Sequence, residues 1–581
     1  MEEKLSHYIN KAKTLDVKQY EKTVRVAVLS SFTLNGLEET LRVKCSDLNV
    51  NCITFVSGYN QYNQEIFNEK SKLYEFKPDI TFLTLDIRDI LGKVFYNPYS
   101  HTAEERKEII TKKINELKNL IGTFTQNSKS KLVLSNSKNP DYSPYGIVET
   151  KMDYGIYSMI ADFNSRLAEY IKNQQSVYLY DFNAFVNRFG ENNVFDYRQF
   201  FIGDIRIAFD FIPALANDLI GFVKPLLGLN KKCIVLDLDN TLWGGVVGED
   251  GFDGISLGDS SPGNAFVEFQ QRILSLWKRG IILAINSKNN PDDALQVIKK
   301  HPAMILREEC FGAIRINWND KVSNLKELSS ELNIALNSMI FVDDDPVNRE
   351  MIKMQLPEVL VLDLPDDPSQ YAKCITELTD FNVLSVTEED LDRGKMYFEQ
   401  KQRTEFEKSI TSLDDFLKQL NIKIKIKNAN EFTIPRISQL TLKTNQFNLT
   451  THRYQEEEIR RFASDKSMMI GCAQIEDKFG DNGITGVFIV KKEKEIWEID
   501  TFLLSCRVMG RGIENGILGY LLGKAKSGGV KFVKGTYIPS KKNMPCQTFL
   551  EDSGFNKKDS EWIFDLNNVI KVPKHLTVSA E

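Results

Sequence analysis

Two carboxylates two residues apart, Asp237 and Asp239, close the apolar run Ile234, Val235, Leu236 in the string CIVLDLDNTLWGGVVGEDG. Such a run reads as a buried parallel strand, and the carboxyl ends of these strands are where open α/β sheets bind ligands. A carboxylate placed there can attack phosphorus and hold a covalent aspartyl-phosphate. A second carboxylate two residues on can serve as general acid and base. The plain alternative is a strand ending in a polar turn. Three later strings, in chain order, complete a phosphate site. IILAINSK ends a strand in Asn286 and Ser287, whose hydroxyl can donate to a phosphoryl oxygen. RINWNDKVSNL places Lys321 just before a helix, where its ammonium can neutralise both aspartate and phosphoryl charge. IFVDDDP ends a strand in Asp343, Asp344 and Asp345, which repel one another unless a cation is present. Mg2+ takes oxygen ligands and keeps several waters. Asp237, Asp343 and the backbone carbonyl of Asp239 suit it. Singly, Ser287 could be a helix N-cap, Lys321 a solvated lysine and the Asp343 cluster a turn before Pro346. Their joint order at strand ends favours the phosphate site.

These strings resemble the four motifs of the haloacid-dehalogenase (HAD) superfamily of aspartate-dependent phosphatases and phosphotransferases. TLWGGVVGEDG, NSKN, NWNDK and FVDDDP resemble its FkbH-like branch more narrowly. The resemblance implies Asp237 as nucleophile and Asp239 as acid/base, with Lys321 also in the catalytic set. It implies Thr241, Asn286, Ser287 and Lys321 as phosphate ligands, and Asp237, Asp239, Asp343 and Asp344 around Mg2+. Asn348 departs from the acidic residue many relatives carry there. About 45 residues separate the aspartate pair from Ser287, and about 30 separate Ser287 from Lys321. That leaves little chain for a cap domain and predicts an open site, suited to a substrate presented by another domain or a carrier.

In SCRVMGRGIENGILGYLLGKAKSGG, Arg507, Gly510 and Gly512 give R-x-x-G-x-G between the strand IWEIDTFLLS and a helix ended by Gly528 and Gly529. Glycines in that position expose backbone N–H groups to phosphate at the helix N-terminus. The string resembles the pyrophosphate loop of GNAT acyltransferases, which hold coenzyme A, and NMPCQTFLEDSGF resembles the motif that follows it. The resemblance implies that Arg507, Gly510, Arg511, Gly512 and Asn543 bind CoA or the phosphopantetheine arm of a carrier protein. A GNAT-like fold kept for structure alone is the alternative. Asn445, Gln446, Asn448 and Arg453 in TLKTNQFNLTTHRY, and Asp481 in DKFGDNGITG, are candidates for an acyl site or for well-bonded turns. Cys506, beside Arg507 and near a helix N-terminus, is placed to have a lowered thiol pKa and could accept an acyl group. A buried small hydrophobe is the alternative.

The strand VRVAVLSSFTLNG ends in Ser30 and Ser31 and resembles the SGNH-hydrolase-like region that precedes the HAD part in FkbH-like proteins. An SGNH hydrolase needs a late D-x-x-H, and FDYRQFFIGDIRIAFDFIPALANDL contains no histidine. The expectation is a domain that is not an esterase and binds a partner or an acyl chain.

Alternating strands and helices position these groups. TVRVAVLS, CITFVS, DITFLTL, KLVLSN and SVYLYD predict one parallel α/β domain over residues 1–228. CIVLDLD, IILAINS, FGAIRIN, MIFVDDD and VLVLDL predict a second, HAD Rossmann-like and without a cap, over 229–375. A charged linker helix is expected within 376–410, and a GNAT-like α+β domain over 411–581. The fold class is thus α/β multidomain. A chain of 581 residues is too long for one core. A net charge of −6 and a pI near 5.7 give no general case for nucleic acid or anionic membrane. The eight cysteines are scattered with no C-x-x-C pair, which suggests neither zinc nor a disulfide framework and fits a reducing cytoplasm. No segment reads as a signal peptide or a membrane span. The family resemblance implies loading of a glyceryl unit from 1,3-bisphosphoglycerate, or a related phosphorylated donor, onto an acyl carrier protein with loss of phosphate. The alternatives are a free-standing phosphatase with a scaffold GNAT part, an acyl-CoA-dependent acetyltransferase with a regulatory HAD module, and a scaffold without chemistry.

Overall fold

The computed structural model describes residues 3–15, 20, 22–410, 412–540, 542–558 and 561–581, the side chains of Glu388 and Cys506 excepted. The chain divides into two compact units, Met1–Leu229 and Asn230–Glu581. Among the described residues no helix is long and apolar enough to cross a membrane.

The first unit is built on a parallel sheet of β1 (Lys22–Ser30), β2 (Val50–Val56), β3 (Ile80–Thr84), β4 (Lys131–Ser135) and β5 (Val177–Tyr180), in the order β2-β1-β3-β4-β5. Its longest helix, Ala103–Asn127, starts at a capping box in which Thr102 and Glu105 satisfy each other's backbone N–H. It buries Ile110, Ile114, Leu117 and Ile121 at helical spacing. The apolar segment around Phe211 to Leu227 forms the helix Ile212–Leu226, entered through Pro213.

The second unit carries two sheets. One is wholly parallel: β6 (Cys233–Leu236), β7 (Ile282–Ser287), β8 (Phe311–Ile316), β9 (Met339–Asp343) and β10 (Leu360–Asp363), ordered β10-β9-β6-β7-β8. Every residue of β6, β7 and β9 is buried, as continuous apolar strands between two helical layers require. The crossover helices Lys321–Leu332 and Pro346–Gln355 start at the N-caps Asp320 and Asp345.

The other sheet is mixed. It comprises β11 (Ile422–Asn428), β12 (Phe447–Asn448), β13 (Met468–Asp477), β14 (Gly480–Lys492), β15 (Ile496–Leu504), β16 (Phe532–Gly535), β17 (Asn556–Lys558), β18 (Glu561–Asp565) and β19 (Leu576–Ala580). Its path is β17-β18-β16-β15-β14-β13-β11-β19, with β12 on β15. β15 and β16 are parallel, and the helix Ile513–Ser527 crosses between them. Residues 477–486, which carry Asp481, lie largely in the β13–β14 hairpin, whose register shifts between Ala473 and Glu476.

The helix expected between these sheets runs Arg393–Lys408 and packs on both. Gly394 gives room to the Trp277 ring, and a Cβ on Gly312 would lie 3.0 Å from that of Tyr397. On its other side, Arg403 makes two bonds to the Asp477 carboxylate, at 2.7 and 2.9 Å. Gly280, Glu308 and Gly312, which meet residues 390–401, all lie at the amino ends of β7 and β8. Asn333, bonded to Gln446 at 3.3 and 3.4 Å, precedes β9. The third sheet therefore joins the second at the amino ends of its strands.

Candidate active site

Topology puts the predicted phosphate residues at the opposite edge, the carboxyl ends of β6, β7 and β9. Lys321 is the hub. It is 2% exposed and its Nζ lies 2.7 Å from Asp237 Oδ2. The same ammonium pairs with Asp343, which is fully buried. Asp237 Oδ1 is buried and has no hydrogen-bond partner. One carboxylate oxygen each from Asp237, Asp343 and Asp344 falls within 4.8 Å of the others. An orphaned buried oxygen beside two further carboxylates is the donor set a hard divalent cation takes, so the residues present fit Mg2+.

Asp239 turns away from that cluster. Its Oδ1 accepts from Trp243 Nε1 at 2.8 Å and Val247 N at 3.1 Å, and its Oδ2 accepts from Asn289 Nδ2 at 2.8 Å. Its carboxylate is thus held by three N–H donors, which leaves its backbone carbonyl as the atom expected to meet the metal. Ser287 is buried at the end of β7. Thr241 donates to Asp344 at 3.1 Å and accepts from the Asp344 N–H at 3.2 Å. Asn286, expected at phosphate, is fully buried and donates to the Lys321 carbonyl at 2.9 Å while accepting from Asn324 at 3.0 Å. Its amide fixes the start of the lysine helix. Arg349 donates to the carbonyls of Asp343 and Asp344, at 2.8 and 2.5 Å, and pins the acidic strand end. Asn348 reaches Asp343 at 3.4 Å.

Burial pushes the Asp239 carboxyl up, with the charge of Asp237 adding and its N–H donors opposing. Burial, then the charges of Asp237 and Asp343, push Asp344 up to about 6. Asp343 is also raised, by burial and Asp237 against the pull of Lys321. Burial works against the charge of Lys321, but Asp237 and Asp343 outweigh it and raise its pKa. The centre is an excess of buried negative charge around one lysine, which a cation would relieve.

The rim is open. Between β6 and β7 lie only the short helix Val247–Asp250 and the helix Gly263–Lys278, and neither builds a separate folded cap. Trp318, in the loop from β8 to Lys321, is 74% exposed. Sequence reasoning passed over Trp243, Asn289, Arg349 and Trp318. Trp243 and Asn289 stood in the quoted strings, but their aim at Asp239 depends on the turn after β6, where Asn240 adopts a left-handed φ of 53°.

The third sheet gives its candidates other employment. Gly510 and Gly512 have φ of 77° and 73°, and Gly512 caps the helix Ile513–Ser527. Arg511 is buried, donating to Gln400 at 3.0 Å and facing Asp477. Arg507 reaches Met396 Sδ at 2.7 Å. Asn543 is fully buried and donates to the carbonyls of Asn448 and Ile538, at 3.0 and 2.9 Å. Beyond Ile499, where pairing with β16 stops, the edge of β15 is taken by the chain's own Phe447 and Asn448, opposite Leu504 and Leu503. Leu449 N donates to Phe502 O at 3.1 Å, and Ile538 N donates to Leu449 O at 2.8 Å. The chain's own segment thus fills the edge of β15 beyond Ile499. Asn445 accepts from Arg453, and Arg453 also donates to Thr444 O at 3.0 Å. Asn448 Oδ1 accepts from Thr451 N at 2.9 Å, and Asp481 accepts from Gln474 and from Gly483 N. Of these proposed acyl-site residues, Asn445 and Arg453 bond each other, Asn448 and Asp481 are tied into local turns, and Gln446 bonds Asn333. The side chain of Cys506 lies outside the described residues.

In the first unit, Ser31 Oγ donates to Asp89 Oδ2 at 2.6 Å, and Ser30 Oγ accepts from Phe32 N at 3.1 Å. Arg206 stands beside them, paired with Asp86, Asp89 and Asp204. Among the described residues no histidine bonds either serine.

Residues 25–224 match the family model described as FkbH, N-terminal domain. Among solved structures, the N-terminal part of the protein BF1531 from Bacteroides fragilis, containing a phosphatase domain complexed with Mg, is 26% identical. It aligns over 66% of this chain and 100% of its own, with a TM-score of 0.61. A GNAT family acetyltransferase from Elizabethkingia anophelis with acetyl-CoA bound is 19% identical over 23% of this chain and 78% of its own, with a TM-score of 0.18. The ribosomal-protein-S18-alanine N-acetyltransferase from Escherichia coli is 11% identical over 24% and 89%, with a TM-score of 0.19. The search of curated proteins found no significant match.

Proposed function

We propose that this FkbH-like chain, whose residues 25–224 match the family model of the FkbH N-terminal domain, is a Mg2+-dependent phosphoryl-transfer enzyme working through Asp237. The observation that supports this most directly is the unpartnered, buried Asp237 Oδ1 beside Asp343 and Asp344, with Lys321 holding the other Asp237 oxygen. When bound, Mg2+ would be held by Asp237, Asp343 and Asp344 and would offset the charge of the incoming phosphoryl group. The Asp237 carboxylate attacks phosphorus and the bond to the leaving oxygen breaks. Asp239 gives a proton to the leaving oxygen as general acid. Water then attacks the aspartyl-phosphate, its proton passes to Asp239, and phosphate leaves. Trp243, Val247 and Asn289 keep the Asp239 carboxyl oriented through both steps. Lys321 and the Ser287 hydroxyl hold the transferring group.

The finer reading is that the phosphoryl group belongs to a three-carbon acyl donor such as 1,3-bisphosphoglycerate. The acyl unit is loaded onto an acyl carrier protein. The uncapped rim with an exposed Trp318 supports a tethered or bulky substrate. The carrier's arm approaches that rim, because the groove beside β15 is filled. The test is intact mass of carrier protein after incubation with the enzyme, Mg2+ and 1,3-bisphosphoglycerate. A glyceryl adduct with phosphate release supports the full reading. Phosphate release without an adduct leaves a phosphatase alone. Asp237→Asn is expected to abolish phosphate release with the fold intact, and turnover in that variant would overturn the nucleophile assignment.

A further inference from the structure

The rim around Asp237 is acidic, with one exception. The loops that leave the five parallel strands at their carboxyl ends, residues 237–246, 288–290, 317–320, 344–345 and 364–367, hold seven aspartates and one basic residue, Lys288. It follows Ser287, the last residue of β7, and precedes Asn289. Both neighbours are fixed. The Ser287 carbonyl accepts from Asn317 N at 3.1 Å. Asn289 is buried, its Nδ2 donating to Asp239 Oδ2 at 2.8 Å and its Oδ1 accepting from Asn290 N at 2.9 Å. The pairing of Leu236 with Ile285, continued to the strand ends, brings Asp239 level with Lys288. The backbone of Lys288 is therefore held at the mouth of the site, while the residue itself is exposed. Among the described residues Lys288 pairs with no carboxylate, although its surroundings are rich in them. The other cations of the site are committed. Lys321 holds Asp237 and Asp343, and Arg349 holds the carbonyls of Asp343 and Asp344.

We propose that Lys288 takes a second anionic group of the substrate, so that the site selects a small organic phosphate carrying a further carboxylate or phosphate over one that carries neither. This rests on the phosphoryl-transfer reading of Asp237 and names what that site selects. Charge carries the argument. A second anion brought to a rim of aspartates is repelled unless a cation meets it, and Lys288 is the one exposed basic residue on these loops. Position carries the rest. Ser287 holds the transferring group on one side of Lys288, and Asn289 orients the acid on the other, so the second anion sits beside the phosphoryl group within the same small molecule. A flexible ammonium suits that place, because its four-carbon stem follows anions set at different distances without demanding a planar fit. A substrate with no second charge leaves Lys288 in water and gains nothing from it.

Two probe pairs, each differing by one anionic group, test this: 3-phosphoglycerate against glycerol 3-phosphate, and propane-1,3-diol bisphosphate against propane-1,3-diol monophosphate. Binding is read without turnover, by isothermal titration calorimetry on the full chain carrying Asp237→Asn, with Mg2+ present. The probe with the extra anion should bind about tenfold tighter in at least one pair, and the pair with the larger ratio tells carboxylate from phosphate. Lys288→Met should bring that ratio close to one, and Lys288→Arg should keep most of it. Lys288→Glu should turn the preference toward phosphoethanolamine, whose second group is a cation. A disturbed fold weakens both members of a pair alike and leaves the ratio where it was. Phosphate release from the same probes with Asp237 intact tests the phosphoryl-transfer reading separately: no release with the ratio preserved removes that reading and leaves the contact at Lys288 standing. An unchanged ratio in Lys288→Met, equal binding within both pairs, or no saturable binding of any probe at millimolar concentration would overturn the proposal.

Discussion

Lys321→Met removes the one cation that holds Asp237 and Asp343 together. All three side chains are at most slightly exposed, at 3%, 11% and 0%. Taking one partner out of a buried ion pair leaves uncompensated charge and costs about 3–5 kcal/mol. Here two carboxylates are left facing each other, with Asp344 close by. A domain is stable by only about 5–15 kcal/mol, so the loss should be large and local. Hydrogen exchange followed by mass spectrometry reads it directly in a chain of several domains. Amides of β6 and β9 should lose protection by roughly 10²–10⁴-fold, the equivalent of those 3–5 kcal/mol, while β1 to β5 are unaffected. Adding Asp343→Asn to Lys321→Met removes one stranded charge and should return about 1–2 kcal/mol. Mg2+ should protect Lys321→Met more than it protects the unaltered chain, because the cation takes over the missing charge. Phosphate release should fall by roughly 10²–10³-fold in the single variant, the usual loss for one transition-state donor. If Lys321→Met keeps the protection of the unaltered chain, or Asp343→Asn deepens the loss, Lys321 is not the counter-charge of the cluster.

Trp318→Ala should raise KM for a carrier-borne substrate about tenfold or more, as loss of an aromatic anchor does, with hydrolysis of p-nitrophenyl phosphate unchanged; equal effects on both substrates would remove Trp318 from the docking rim. Arg403→Met breaks the buried bidentate pair with Asp477 and should cost about 3–5 kcal/mol, seen as rapid proteolytic cleavage within Arg393–Lys408. In the first unit, burial opposes the charge of Asp86, but Arg88 and Arg206 outweigh it and hold its pKa below the usual carboxylate range. That stability is present above the unfolded pKa near 3.9 and is lost as pH falls through the folded value. Asp86→Asn, which can still cap the Ile87–Leu91 turn, should therefore destabilise the unit by about 1–3 kcal/mol at pH 7. The difference should vanish in strong acid, and a constant difference across pH in chemical denaturation would contradict the pairing.

The sequence by itself determined the parallel α/β class and the edge on which the aspartates fall. Cys233–Leu236 is apolar throughout, Ile282–Ser287 and Met339–Asp343 turn polar only at their carboxyl ends, and strands buried on both faces can carry polar chemistry only where they end. That is why Asp237, Ser287, Lys321 and Asp343 could be picked out by position alone. The tertiary structure decided what those neighbours do. Asn286 supports the lysine helix instead of facing the phosphoryl site, and the Asp239 carboxylate points to Trp243 and Asn289. Both outcomes rest on side chains from distant stretches meeting in one shell. In the third sheet the glycines of R-x-x-G-x-G announce a loop, but nothing local to them shows that Phe447–Leu449 occupies the edge of β15. Local pattern fixes which face of a strand is buried; which other segment covers its edge is a property of the whole chain.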